Sequence, residues 1–235
     1  MKTDVRAQSE SALFRPIASA WHTLLVLAVQ ALLAYRGKIR VDQMRAIANP
    51  NHIGIYERTM LFEWLVLVLV LMGVWLHGSS LFTVLGERWH SFRQVLRDLG
   101  IAVLFLFVSI VVVSIAGSHS QHGAADKATQ FILPHGGVEM ALWIALSISA
   151  GICEEAVFRG YLQRQFMALT RSVPAGIVLS AAAFGAAHLY HGPGHAFRIG
   201  LLGAMAGILA YWCGSVRPGM IAHALQDVLG AIIRH

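Results

Sequence analysis

Residues 140–160 read Met140-Ala141-Leu142-Trp143-Ile144-Ala145-Leu146-Ser147-Ile148-Ser149-Ala150-Gly151-Ile152-Cys153-Glu154-Glu155-Ala156-Val157-Phe158-Arg159-Gly160. Two adjacent carboxylates close an apolar run, and more apolar sequence follows. A charged side chain at bilayer depth costs roughly 2.5–3.5 kcal/mol on insertion scales. Such a cost calls for a compensating partner or a function. Two later segments place polar groups in similar surroundings: Phe184-Gly185-Ala186-Ala187-His188 and His223-Ala224-Leu225-Gln226-Asp227. The three segments are expected to meet at one intramembrane site.

The rest of the composition agrees. The chain is 57% hydrophobic and only 13% charged, with mean hydropathy +0.63, the balance of a polytopic membrane protein rather than a soluble domain. The expected fold is all-α, a polytopic transmembrane helix bundle of about 6–8 spans, forming one membrane domain over residues 1–235. Seven apolar helices are expected: Ile17–Tyr35, Met60–His77, Ile101–Ala116, Met140–Glu155, Pro174–Tyr190, Ala196–Cys213 and Gly219–Ile233. The fourth is expected to continue through Arg159 toward Phe166. The first run ends against Arg36 and Lys38, which fits a retained span better than a cleaved signal.

The net charge of +6 is not a nucleic-acid signal. Arg and Lys lie mainly between apolar runs, and no basic stripe is interleaved with exposed aromatics. Cys153 and Cys213 support neither a disulfide framework nor a CxxC metal site. The arginine count of loops 78–100 and 158–173 against loop 117–139 puts the glutamates near the cytoplasmic end of the fourth span. Segment Arg36–Arg58, with five basic residues, conflicts with that orientation.

Between the spans, Val41–Thr59 contains Asn49-Pro50-Asn51 and reads as a connection with a turn. Glu63 reads as an interfacial residue at a helix end. Glu87–Gly100 reads as an amphipathic helix on the membrane surface. Ser118–Glu139, with His119, His122 and His135, reads as a solvated loop. Gly203, Gly207, Ala206, Ala210 and Gly214 place small side chains at helix-packing intervals.

Spacing then assigns faces. Glu155 and Arg159 are four residues apart and share a helix face, while Glu154 points roughly 100° away. Phe184 and His188, and His223 and Asp227, are spaced in the same way. A Glu, two His and an Asp drawn from different helices can hold and activate a water, with Glu as general base and a His stabilising an oxyanion. The same four residues, Glu154, His188, His223 and Asp227, could instead ligate a divalent metal such as zinc. Sequence does not separate the two.

Glu154-Glu155-xxx-Arg159, Phe184-xxx-His188 and His223-xxx-Asp227 together resemble the motifs of the CPBP (Abi) family, the CAAX prenyl endopeptidases and the bacteriocin-processing or bacteriocin-immunity proteins. The resemblance covers residues 140–235, the expected catalytic core in the C-terminal four helices; residues 1–139 carry no such signal. It implies a glutamic-type intramembrane endopeptidase, once described as a metalloprotease. On that resemblance Glu154 would activate water with help from His188, His223 and Asp227 would form the oxyanion and water-binding side, and Glu155, Arg159 and Phe184 would support the site. The family's third motif often has Asn where this chain has Asp227. The expected partners are the lipid bilayer and a peptide or membrane-protein substrate, with no nucleic acid, and the expected location is the cell inner membrane. A proton-coupled transporter and a catalytically silent immunity or binding protein on the same fold are the alternatives.

Overall fold

A computed structural model describes residues 13–44, 47, 50–117 and 132–234. Among these, every regular element is helical. They are α1 (Ala20–Met44), α2 (His52–Leu76), the single turn α3 (Phe82–Leu85), α4 (Phe92–Gly117), α5 (Gly137–Glu155), a π-helical segment (Ala156–Leu162), α6 (Gln163–Thr170), α7 (Val173–Ala187), a 3-10 turn (Leu189–His191), α8 (Pro193–Cys213) and α9 (Arg217–Arg234). Each of the seven expected apolar helices has its counterpart. Four helical stretches are long and apolar enough to cross a membrane: His52–Leu76, Phe92–Ile115, Gly137–Thr170 and Pro193–Cys213. Val173–Ala187 is apolar but shorter.

Local chemistry sets several boundaries. Pro50 cannot continue a helix, and Asn51 caps α2 by accepting the Gly54 amide at 2.9 Å. Ser172 caps α7, with Pro174 in its first turn. Gly214, at φ +60°, ends α8. At the start of α5 the Glu139 carboxylate accepts the His135 amide at 2.6 Å and also meets His52 Nδ1 at 2.8 Å. That pairing ties the beginning of α5 to the beginning of α2.

The tie has a consequence for register. Helices α2 and α5 pack together and run the same way from the His52–Glu139 contact. At about 1.5 Å rise per residue, Glu63 and Ser149 arrive at nearly the same depth, about 16 Å and 15 Å along. Ser149 Oγ donates to Glu63 Oε2 at 2.7 Å. Glu63 is therefore not an interfacial end residue, as its sequence position suggests, but an internal residue facing α5. The sequence reading failed because α2 begins eight residues before the expected Met60.

Other expectations are corrected by long-range contacts. The segment Val41–Thr59 is mostly helix, since α1 continues to Met44 and α2 starts at His52. No separate surface helix precedes the third span; α4 is continuous from Phe92. Its arginines Arg93 and Arg97 stay exposed, but Asp98 is fully buried, accepting from Trp89 Nε1 at 2.9 Å and lying 3.3 Å from Arg217 Nε. Residues 158–173, counted as an Arg-bearing loop in the orientation argument, are largely helix, and Arg159 within them is buried. His119 and His122 lie outside the described residues.

The π segment is fully buried. It packs on α3 so closely that a Cβ at Gly160 would stand 2.2 Å from the Val84 carbonyl oxygen, so only Gly fits there. Just beyond it, Gln165 anchors the start of the N-terminal helix. Its Oε1 accepts from the Ile17 amide at 2.8 Å, and its Nε2 donates to the Ala18 carbonyl at 2.9 Å and to Thr23 Oγ1 at 2.7 Å. Tyr161, also buried, bonds His22 Nδ1 at 2.7 Å.

Removing that anchor leaves buried backbone groups without partners, each costing about 1–3 kcal/mol. Gln165→Leu is expected to lower stability by about 2–4 kcal/mol, read as a shifted unfolding transition in detergent. An unchanged transition would show that the anchor carries no net stability.

Candidate active site

The site is built on the junction of α5 with the π segment. Glu155, the last residue of α5, is buried, and so is Arg159 one turn later. Arg159 Nη1 donates to Glu155 Oε1 at 2.9 Å, which is the shared face expected from their spacing. A buried charge with a hydrogen-bonded partner is tolerable, whereas one left alone is strongly destabilising. The guanidinium also lies 4.2 Å above the Phe184 ring, where a cation meets the negative face of an aromatic.

Helix α9 brings His223 to the same carboxylate. Its Nδ1 lies 3.1 Å from Glu155 Oε1. Its Nε2 lies 3.8 Å from Glu154 Oε2 and 3.7 Å from Asp227 Oδ2. His223 is thus an imidazole bridge from the locked Glu155 to Glu154 and Asp227. The approach of α9 depends on Gly151, where a Cβ would stand 2.6 Å from the Met220 carbonyl oxygen. Trp143 Nε1 donates to the Asp227 carbonyl at 3.1 Å and closes the other end of the α5–α9 contact.

Phe184, on α7, is the hub of the ring contacts. Its centroid is 4.8 Å from that of Phe158, 4.8 Å from His188 and 6.2 Å from His223. His188 is not within the helix; it caps the C-terminus of α7. Its Nδ1 lies 2.9 Å from the Phe184 carbonyl oxygen. A carbonyl only accepts, so Nδ1 carries the hydrogen of this bond and the neutral ring presents Nε2 as an acceptor.

A cavity of about 330 Å³ opens beside this junction. Glu154 and His188 both line it, and the Glu154 side chain is 22% exposed, in contrast to buried Glu155. His223 and Asp227 are not among the lining residues; they support Glu154 from the α9 side. The sequence therefore brings all five expected residues and both supporting ones to one locality, but in two layers. It missed Glu63, which lines the same cavity, because its partner Ser149 is 86 positions away. It also missed Tyr190, in the turn after α7, which lines the cavity with its ring centroid 5.9 Å from that of His188.

Cys153 is buried and unpaired with Cys213. Among the described residues, no three His, Cys, Asp or Glu side chains are gathered as a group that could hold a metal ion. His223 Nδ1 is directed to Glu155, which leaves its Nε2 facing Glu154 and Asp227; no step below passes through a metal.

The fold and these contacts define an integral membrane protein with a buried Glu–Arg pair, two histidines and a free-facing glutamate at a cavity. Residues 136–229, about two-fifths of the chain, match a protein-family model described as Rce1-like, type II CAAX prenyl endopeptidase. That match bears out, for this segment, the resemblance to the CAAX protease family read from its motifs. No curated protein and no solved structure gives a significant match.

The ion pair can be separated from the chemistry. Arg159→Met strands the Glu155 charge and is expected to cost about 3–5 kcal/mol. Pairing it with Glu155→Gln is expected to recover most of that stability in detergent unfolding, without recovering proteolysis, because His223 loses its charged anchor. Equal instability of the single and double variants would show that the pair's charge balance is not what stabilises the junction.

Proposed function

We propose that the protein hydrolyses a peptide bond within the membrane by a water held between Glu154 and His188. The observation that carries this reading is the division of labour between two adjacent carboxylates. Glu155 is committed to Arg159 and His223, whereas Glu154 faces the cavity beside His188.

Glu154 takes a proton from the water as the oxygen attacks the scissile carbonyl carbon. Nε2 of His188 accepts the second water hydrogen and fixes the oxygen lone pair toward that carbon. The Phe184 carbonyl holds the ring in the required tautomer. As the carbonyl oxygen gains negative charge, the Tyr190 hydroxyl, which lines the cavity, is a donor that can stabilise it. Asp227 holds the second nitrogen of His223. Apolar walls exclude bulk water and strengthen each of these interactions.

The substrate class is a protein or peptide presented at the bilayer, and the site of action is the cell inner membrane. The description of the matched family makes prenylated C-terminal peptides the first members of a test panel, beside unmodified peptides and membrane-protein segments.

Purified protein in liposomes is the test system. Glu154→Gln and His188→Ala are each expected to lower kcat/KM by about 10²–10⁴-fold at unchanged folding, and a chelator is expected to leave wild-type cleavage intact. Cleavage that survives both substitutions would remove these residues from the mechanism. Cleavage abolished by chelator and restored by zinc would replace Glu–His activation with a metal-bound water.

A further inference from the structure

Glu63 has no role in the mechanism above, yet it occupies an expensive position. It lies within α2, in a window of mean hydropathy 2.2. A carboxyl there costs roughly 2.5–3.5 kcal/mol, and a single hydroxyl hydrogen bond returns only about 1 kcal/mol. Packing alone would be served better by an apolar side chain. The helix register set by the His52–Glu139 contact delivers it to the wall of the cavity that Glu154 and His188 also line. Ser149 Oγ donates to Oε2 and holds the carboxyl in place. Glu63 is within electrostatic reach of Glu154, His223 and Asp227.

The proton inventory of the site leaves one position to fill. Four carboxyl groups, Glu63, Glu154, Glu155 and Asp227, gather near Arg159 and the imidazoles of His188 and His223, while Arg36, Arg40, Arg58 and His191 line other parts of the same cavity. Arg159 neutralises Glu155. Like charges crowded in a poorly solvated site do not all ionise, and the environments divide them into acid and base. Glu154 begins as the base. His188 has its Nδ1 hydrogen held by the Phe184 carbonyl, so in its neutral form it accepts from water and brings no proton for the leaving group. The departing amine nitrogen must receive one before the carbon–nitrogen bond breaks.

We propose that Glu63 is a second catalytic carboxyl of this site, the general acid that protonates the leaving amine. This rests on the endopeptidase reading above and adds a residue from outside the matched segment. The water oxygen bonds to the carbonyl carbon, and one water proton passes to Glu154. The tetrahedral intermediate collapses as the carbon–nitrogen bond breaks and the Glu63 proton goes to nitrogen. The products are a carboxylic acid and an amine. Transfer of the proton from Glu154 to Glu63 through cavity water restores the starting state, so no other reactant is consumed.

The experiment compares two substrates that share everything up to the scissile carbonyl, one ending in a peptide amide and the other in an ester whose weakly basic leaving group departs without an acid. Wild type, Glu63→Gln and Glu154→Gln are assayed in liposomes. Gln keeps the size and the Ser149 hydrogen bond of Glu63 but has no acidic proton. Glu63→Gln is expected to lower kcat on the amide by about 10²-fold, to change kcat on the ester by less than about 3-fold, and to leave KM unaltered. Glu154→Gln is expected to lose both activities.

Equal losses on the two substrates would make Glu63 structural, and undiminished amide cleavage would return the leaving-group proton to Glu154 alone. A readout independent of turnover is the infrared difference between wild type and Glu63→Gln at neutral pH. It must contain the carbonyl band of a protonated carboxyl, and its absence overturns the proposal. Failure of the wild type to cut any substrate overturns the peptidase reading itself, whereas wild-type cleavage matched by Glu63→Gln overturns only the role of Glu63.

Discussion

The buried Glu155–Arg159 pair is the constraint from which the site follows. Two full charges enter an apolar helix junction only if each is compensated, and here two other helices supply compensating groups while a third leaves room for the guanidinium. His223 approaches the carboxylate from α9, and Phe184 of α7 lies beneath the guanidinium. Across the guanidinium, a Cβ on Gly203 of α8 would stand 3.1 Å from Arg159 Nη2. A buried ion pair adds little net stability relative to apolar residues, but it is unforgiving of a missing partner. That asymmetry fixes the register of α7, α8 and α9 against α5 more sharply than side-chain packing in lipid does, since apolar burial hardly drives helix association there.

The π segment is the backbone counterpart of that constraint. A π-helix carries extra residues per turn and a poorer hydrogen-bond geometry, and such segments cluster at functional sites. Here it begins immediately after Glu155. It is buried on every side and admits the α3 turn against Gly160. The catalytic candidate Glu154 is thus the last outward-facing residue before a backbone that cannot shift without moving Arg159. The buried backbone behind Glu154 gives its carboxylate a fixed base, which suits a group that must meet a water at one position.

What the sequence revealed and what it concealed divide along one line. Pairs four residues apart were legible, because their geometry is local: Glu155 with Arg159 and His223 with Asp227 along helices, and Phe184 with His188 across a helix end. The small residues read as packing elements also behave so, with Gly203 making room for Arg159 and Phe184. The concealed features all depend on distant partners. Asp98 looks like part of an exposed amphipathic face until Trp89 and Arg217 close over it. Glu63 looks interfacial until the His52–Glu139 pair sets its depth. Gln165, with no periodicity to mark it, organises the first helix from 142 to 148 positions away.

The same division separates the chemistry from its enclosure. The segment that matches the endopeptidase family supplies Glu154, Glu155, Arg159, His188, His223 and Asp227. It does not complete the cavity, because α1 and α2 form the facing wall. Arg36 and Arg40 come from α1, while Arg58 and Glu63 come from α2. The basic residues that conflict with the orientation read from loop charges are therefore partly cavity residues, placed by what the cavity holds as well as by the membrane potential. The cavity wall contributed by α1 and α2 thus combines guanidinium groups with apolar side chains. The N-terminal helices and the matched core are bound together at Gln165, Tyr161, Glu139 and Ser149. Those four contacts couple the seating of α1 and α2 to the carboxylates, so the wall that carries no recognisable motif is mechanically part of the site.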